Sequence, residues 1–231
     1  MEDALKWLIN QFGEEKILSI KTLLPIQEHF SVQFDGTGQM AYNILAIVAR
    51  QMDVDPNNIT LNFYNEQLLE IKSNVGFTLF GQQYEDENYS SGQYGGKDPN
   101  GKFFIAIELG QLKEPDKLVA TFAHEIAHIK ILGEGRLKEN DEYLTDLVTV
   151  FFGLGIFNAN AIFRFYTDPD KWAYSKQGYL TQQEWGYALA LYAYIRQERK
   201  PDWIQYLVPN IQSDFKKSEA YIYDNTDKVL V

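Results

Sequence analysis

The stretch PDKLVATFAHEIAHIKILG, Pro115 to Gly133, is the part of the chain from which the rest can be read. Proline suits the first turn of a helix, and Asp116 beside it meets the positive end of the helix dipole. Leu118, Val119, Phe122, Ala123, Ile126 and Ala127 give that helix a buried body. It is expected to run to about Leu132, with Gly133 ending it. His124 and His128 stand four residues apart, so both project from one face within reach of a single ion. Zinc accepts imidazole nitrogen and prefers four ligands, and this pair supplies half of that shell. Glu125 follows the first histidine and sits beside the ion without pointing at it, which suits a general base acting on water. The competing reading is a core helix with two satisfied histidines. It is disfavoured because the chain has three histidines in all and two of them fall here.

No histidine follows His128 and no cysteine exists anywhere, so a third protein ligand must be a carboxylate unless His29 returns from far upstream. The downstream candidates are Glu134, Glu139, Asp141, Glu142 and Asp146. Asn140 can cap the next helix, which is expected to continue to about Phe157 with Asp141 and Glu142 in its first turn. Glu142 and Asp146 share one face of it. One can reach the ion while the other accepts the free ring N–H of a ligand histidine. As plain first-turn acids, Glu142 is easily explained, but Asp146, which abuts an apolar run, is not.

His124-Glu125-x-x-His128 followed by Glu142-x-x-x-Asp146 resembles the gluzincin branch of the zinc metallopeptidases. Glu142 to Leu147 and Gly153 to Asn160 are similar to bacterial members of that group, and the likeness covers about residues 100–157. The resemblance implies zinc on His124, His128 and Glu142, with Asp146 as partner of a ligand histidine. It implies Glu125 as catalytic base in the cleavage of peptide (amide) bonds of a peptide or protein substrate. It also implies a zincin-like α+β fold, with a small mixed sheet, an active-site helix and a helical C-terminal lobe. The strand before the helix, Lys102 to Leu109, is then expected to border the cleft and pair with an extended substrate. The spacing from His128 to Glu142 is short for gluzincins. The metzincin branch would use Glu134, but Ile131 stands where that branch turns on glycine. Peptide deformylases share the helix motif and need a cysteine ligand. An oxyanion donor is not singled out; Tyr143, Tyr174, Tyr179, Tyr187 and Arg196 are candidates. The alternative function is a metal-binding regulatory or binding module with little turnover.

Outward from the motif, residues 1–16 suit an amphipathic helix, Ile17 to Leu24 a strand and Gly38 to Asp53 a helix. Ile59 to Tyr64 alternates like a strand, and Val75 to Phe80 is another candidate. Tyr84 to Gly101, rich in Gly, Asn, Asp and Ser, reads as a long exposed loop that can cover a cleft. Thr181 to Glu184 is a capping box opening a helix to Arg199, and short helical pieces are expected over 201–217. The whole is one domain, 1–231, with an α/β lobe over about 1–135 and a helical lobe over about 136–231. Apolar residues make up 45% of the chain, which is ample for a core without disulfides. A net charge of −11 argues against nucleic-acid partners and anionic membranes. The longest apolar run, Leu147 to Phe157, is too short to span a bilayer. The lack of cysteine and of a secretory segment favours a cytoplasmic setting.

Overall fold

The computed structural model describes residues 1–64, 92–165, 180–227 and 229. The expected strand Val75 to Phe80 and the first part of the Tyr84 to Gly101 stretch lie outside the described residues. Those residues form a mixed α+β structure of eight α-helices and one three-stranded sheet.

The central element is α4 (Pro115–His128), which buries ten of its fourteen residues and is therefore a core helix rather than a surface one. It packs against α3 (Gly38–Gln51), α5 (Glu142–Phe151), α6 (Gly155–Phe165) and the sheet. Its end differs from expectation. Gly133 does not stop it; instead residues Ile129–Gly133 widen into a π-helical turn, with the Glu134 N–H reaching back to the Ile129 carbonyl. The left-handed residue comes later, at Gly135 (φ 72°). Gly133 is small for a different reason: a Cβ there would lie 2.7 Å from the Phe103 ring and 2.9 Å from the Tyr94 hydroxyl. Such turns often mark functional sites.

The sheet has the order β1-β3-β2, with β1 (Ile59–Tyr64) parallel to β3 (Phe103–Glu108) and β2 (Gly92–Lys97) antiparallel to it. The central strand β3 is thus paired on both sides, so the expectation that it adds an extended substrate is corrected. The exposed-loop reading of Tyr84 to Gly101 also fails from Gly92 onward. Its glycines belong to a strand: a Cβ on Gly95 would meet the Phe104 ring at 2.7 Å. Asp98 makes the turn to β3. One carboxylate oxygen accepts the Asn100 and Lys102 N–H groups, and the other accepts the Thr60 hydroxyl, tying the turn to β1.

Elsewhere α1 (Glu2–Phe12) and α2 (Glu14–Ser19) meet at Gly13 (φ 93°). The strand expected at Ile17 to Leu24 is therefore helical to Ser19 and irregular after it. Its backbone tie is Leu23 N–H to the Gly153 carbonyl, with no ladder. The single helix expected to Phe157 is two, because Gly153 (φ 75°) breaks the chain after α5. The capping box at Thr181 and Glu184 opens α7 (Gln182–Ile195). The last segment is one sixteen-residue helix, α8 (Pro209–Asp224), not short pieces. Among the described residues no helix is long and apolar enough to cross a membrane.

Candidate metal centre

His124 and His128 lie one turn apart on α4, their rings edge to face with centroids 4.8 Å apart. The first residue of α5, Glu142, faces both. Its Oε2 is 3.1 Å from His124 Nε2 and 3.6 Å from His128 Nε2. One ligand atom from each of the three lies within 4.8 Å of the others. An ion bound tetrahedrally at about 2.0–2.1 Å needs ligand atoms about 3.3–3.4 Å apart. The two measured edges straddle that value, so the donor set could hold such an ion.

Each ligand has a setting. Asp146, on α5 and 1% exposed, places Oδ1 3.3 Å from His124 Nδ1, while its Oδ2 accepts the Leu180 N–H. Glu142 Oε1 accepts a 2.7 Å bond from the Asn140 amide. The expected cap is corrected here: Asp141, in the extended conformation, accepts the Leu144 N–H and caps α5, which leaves Asn140 free to hold the carboxylate. The ring of Tyr94, on β2, lies stacked on His128.

Glu125 is 2% exposed and accepts the backbone N–H of Tyr94. Burial, with help from the charge of Glu142 and against that of His124, pushes its carboxyl up to about 7. A group poised there can both take and return a proton at neutral pH. Burial works against charge on His124, yet its bonds to Asp146 and Glu142 push it up to about 10. Burial and then the neighbouring His124 push His128 down to about 4. Beside Glu142 the surface opens into a depression of 610 Å³ lined by residues 137–143.

The other sequence candidates are engaged elsewhere. Glu134 takes Lys130 on one oxygen (2.6 Å) and Arg136 on the other (2.8 Å). His29 accepts the Leu24 N–H at its Nδ1. Among the oxyanion candidates, Tyr187 donates to Glu2, Arg196 donates to the Ile17 and Ile20 carbonyls, and Tyr143 is turned towards Glu184, Glu2 and Asp141. Tyr174 and Tyr179 lie outside the described residues. Sequence reasoning missed Tyr94, one of fifteen tyrosines in a glycine-rich stretch, and misread Asn140, whose place before a helix mimics a cap.

Compared with protein-family models, curated proteins and solved structures, the chain matches none.

Proposed function

We propose that the protein is a zinc-dependent hydrolase of peptide (amide) bonds with a zincin-like fold. The observation that carries the reading is the convergence of His124, His128 and Glu142 within 4.8 Å beside a buried carboxyl, Glu125, pushed up to about 7. The donor set of two imidazoles and one carboxylate is that of catalytic zinc sites, which keep a position open for water or substrate. Zinc held there supplies a Lewis acid and makes water more acidic. Glu125 takes the proton of the attacking water and returns it to the leaving amine. Asp146 holds the His124 ring in register, and Asn140 holds the Glu142 carboxylate.

The test is elemental analysis of protein purified without a His-tag, for wild type, His124→Ala and Glu142→Ala. One zinc per chain, strongly reduced in both variants, supports the site and its third ligand. Zinc retained in Glu142→Ala moves the third ligand elsewhere. No metal after zinc is supplied ends the reading. Glu125→Gln should keep zinc while cleavage of a peptide library falls by about 100-fold or more.

A second reading, a metal-binding module with little turnover, is favoured by the 2% exposure of Glu125 and its bond to the Tyr94 N–H. Zinc-loaded wild type that cleaves nothing in the library would select it.

A further inference from the structure

The two histidines of the centre are held in different ways. His124 has a carboxylate at the nitrogen that faces away from Glu142. His128 has nothing equivalent: its Nδ1 is buried and has no hydrogen-bond partner, although the side chain is only 9% exposed. Its Nε2 faces Glu142, with the Asn140 amide alongside. A ring anchored at one end only can swing about its Cβ–Cγ axis, because terminal torsions of this type are broad. What lies against the face of the ring is Tyr94. The two rings are nearly parallel (15°) with centroids 6.0 Å apart, an offset-stacked arrangement. Tyr94 is itself braced. Phe103 packs beside it at 6.4 Å, Gly133 leaves room for its hydroxyl, and its backbone N–H is fixed on Glu125.

We propose that Tyr94 is the positioning residue for His128, its ring doing by stacking what Asp146 does for His124 by hydrogen bonding. The inference rests on the metal reading above. It makes strand β2 part of the centre: one residue orients a ligand through its side chain and the candidate base through its main chain. The hydroxyl has no part in this, so phenylalanine should serve equally well.

The experiment compares wild type with Tyr94→Leu and Tyr94→Phe. Leucine keeps apolar bulk without a flat face, and phenylalanine keeps the face. Circular dichroism and melting first establish that each variant is folded. Zinc affinity is then read by competition with a chromophoric chelator. Tyr94→Leu should bind about 10–100-fold more weakly, the usual effect of losing a residue that orients a ligand, with Tyr94→Phe within about twofold of wild type. The second measurement needs no metal. Nuclear magnetic resonance of ¹⁵N-histidine-labelled, chelator-treated protein has three rings to assign. In wild type and Tyr94→Phe the His128 ring protons should be sharp and shifted by the stacked ring. In Tyr94→Leu they should lose that shift and broaden, with His29 unchanged. Wild-type zinc affinity in folded Tyr94→Leu overturns the proposal, as does Tyr94→Phe failing like Tyr94→Leu. If wild type binds no zinc, the metal reading falls alone, and the resonances still decide whether Tyr94 holds His128. Unchanged His128 signals in Tyr94→Leu then overturn it.

Discussion

Replacing Asp146 by asparagine keeps the shape of a buried side chain and removes its charge. In the structure one carboxylate oxygen lies 3.3 Å from His124 Nδ1, and across the ring His124 Nε2 lies 3.1 Å from Glu142 Oε2. A ring with a carboxylate at each nitrogen holds both protons. Burial opposes this, but the two bonds win and push His124 up to about 10. His128, pushed down to about 4 by burial and then by His124, carries no exchangeable proton at pH 7. Neither does Glu142, where burial is overcome by the His124 bond and the carboxyl is held down to about 2. In chelator-stripped protein a zinc ion must therefore displace one proton, from His124 Nε2. Glu125, near 7, is taken out of the count by working in a Glu125→Gln background. The apparent zinc affinity should then rise about tenfold, or about 1.4 kcal/mol, for each unit of pH between 6.5 and 8. Calorimetry in buffers of differing ionisation enthalpy should count about one proton released per zinc. Asp146→Asn removes one of the opposing carboxylates, so His124 falls, the slope flattens and the proton count drops. At a single pH two effects oppose each other. Loss of orientation weakens binding by about 10–100-fold, while reduced proton competition strengthens it, so the slope carries the information. A parent slope near zero, or a slope that Asp146→Asn leaves untouched, refutes the reasoning.

Glu134→Ala should leave zinc content unchanged, because both carboxylate oxygens already serve Lys130 and Arg136. It should cost about 1–3 kcal/mol in urea unfolding by leaving Lys130, 4% exposed, without its carboxylate; zinc lost with it would restore Glu134 as a ligand. Tyr187→Phe should remove the bond to Glu2 that, against the effect of burial, holds this carboxyl below its ordinary value. A depressed carboxyl adds stability above its unfolded pKa, which is lost as pH falls through the folded one. The variant should therefore be about 1 kcal/mol less stable at pH 7 and no less stable near pH 2; an equal loss at both would point to packing instead. Gly153→Ala places a Cβ 2.5 Å from the Lys21 carbonyl at φ 75° and should lower stability by about 2 kcal/mol or more. Gly135→Ala, also left-handed but with open space, should cost less; equal melting points would sink the argument from the close approach.

What could be read before the structure is what depends on local spacing. The histidine pair, the strands at Ile59 and Lys102, the helix from Pro115 and the capping box at Thr181 each follow from residues a few positions apart. What could not be read depends on contacts between distant segments. Phe152, Gly153 and Leu154 look like helix interior until Lys21 and Thr22 come against Gly153. The glycines of β2 look like turn residues until Phe104 fills the space their side chains would occupy. Gly133 reads as a helix stop, but its smallness serves Phe103 and Tyr94, which approach from the sheet. At the candidate centre the same division holds. Glu142 and Asp146 share a helix face and could be chosen as a pair, whereas Asn140 and Tyr94 act through contacts no spacing announces.

The centre draws its order from three separate pieces of chain. His124 is set by Asp146 from within α5, Glu142 by Asn140 from the segment before α5, and His128 by Tyr94 from β2. Each partner in turn has its own anchor. Asp146 holds the Leu180 N–H at the start of α7, Asp141 caps the helix that carries Glu142, and Tyr94 lies between Phe103 and His128. The ligands are thus brought together by α4 and α5 packing through an apolar core, not by the ion they could share. A small zinc-nucleated domain borrows its folding energy from the metal and unfolds when stripped. Here the core around Phe122, Ile126, Leu147 and Phe151 is fully buried and joins both ligand-bearing helices. The fold therefore precedes the centre, and a metal ion would meet ligands already close to tetrahedral spacing. That arrangement suits a site in which one coordination position is left for chemistry, since the protein, and not a fourth side chain, fixes the other three.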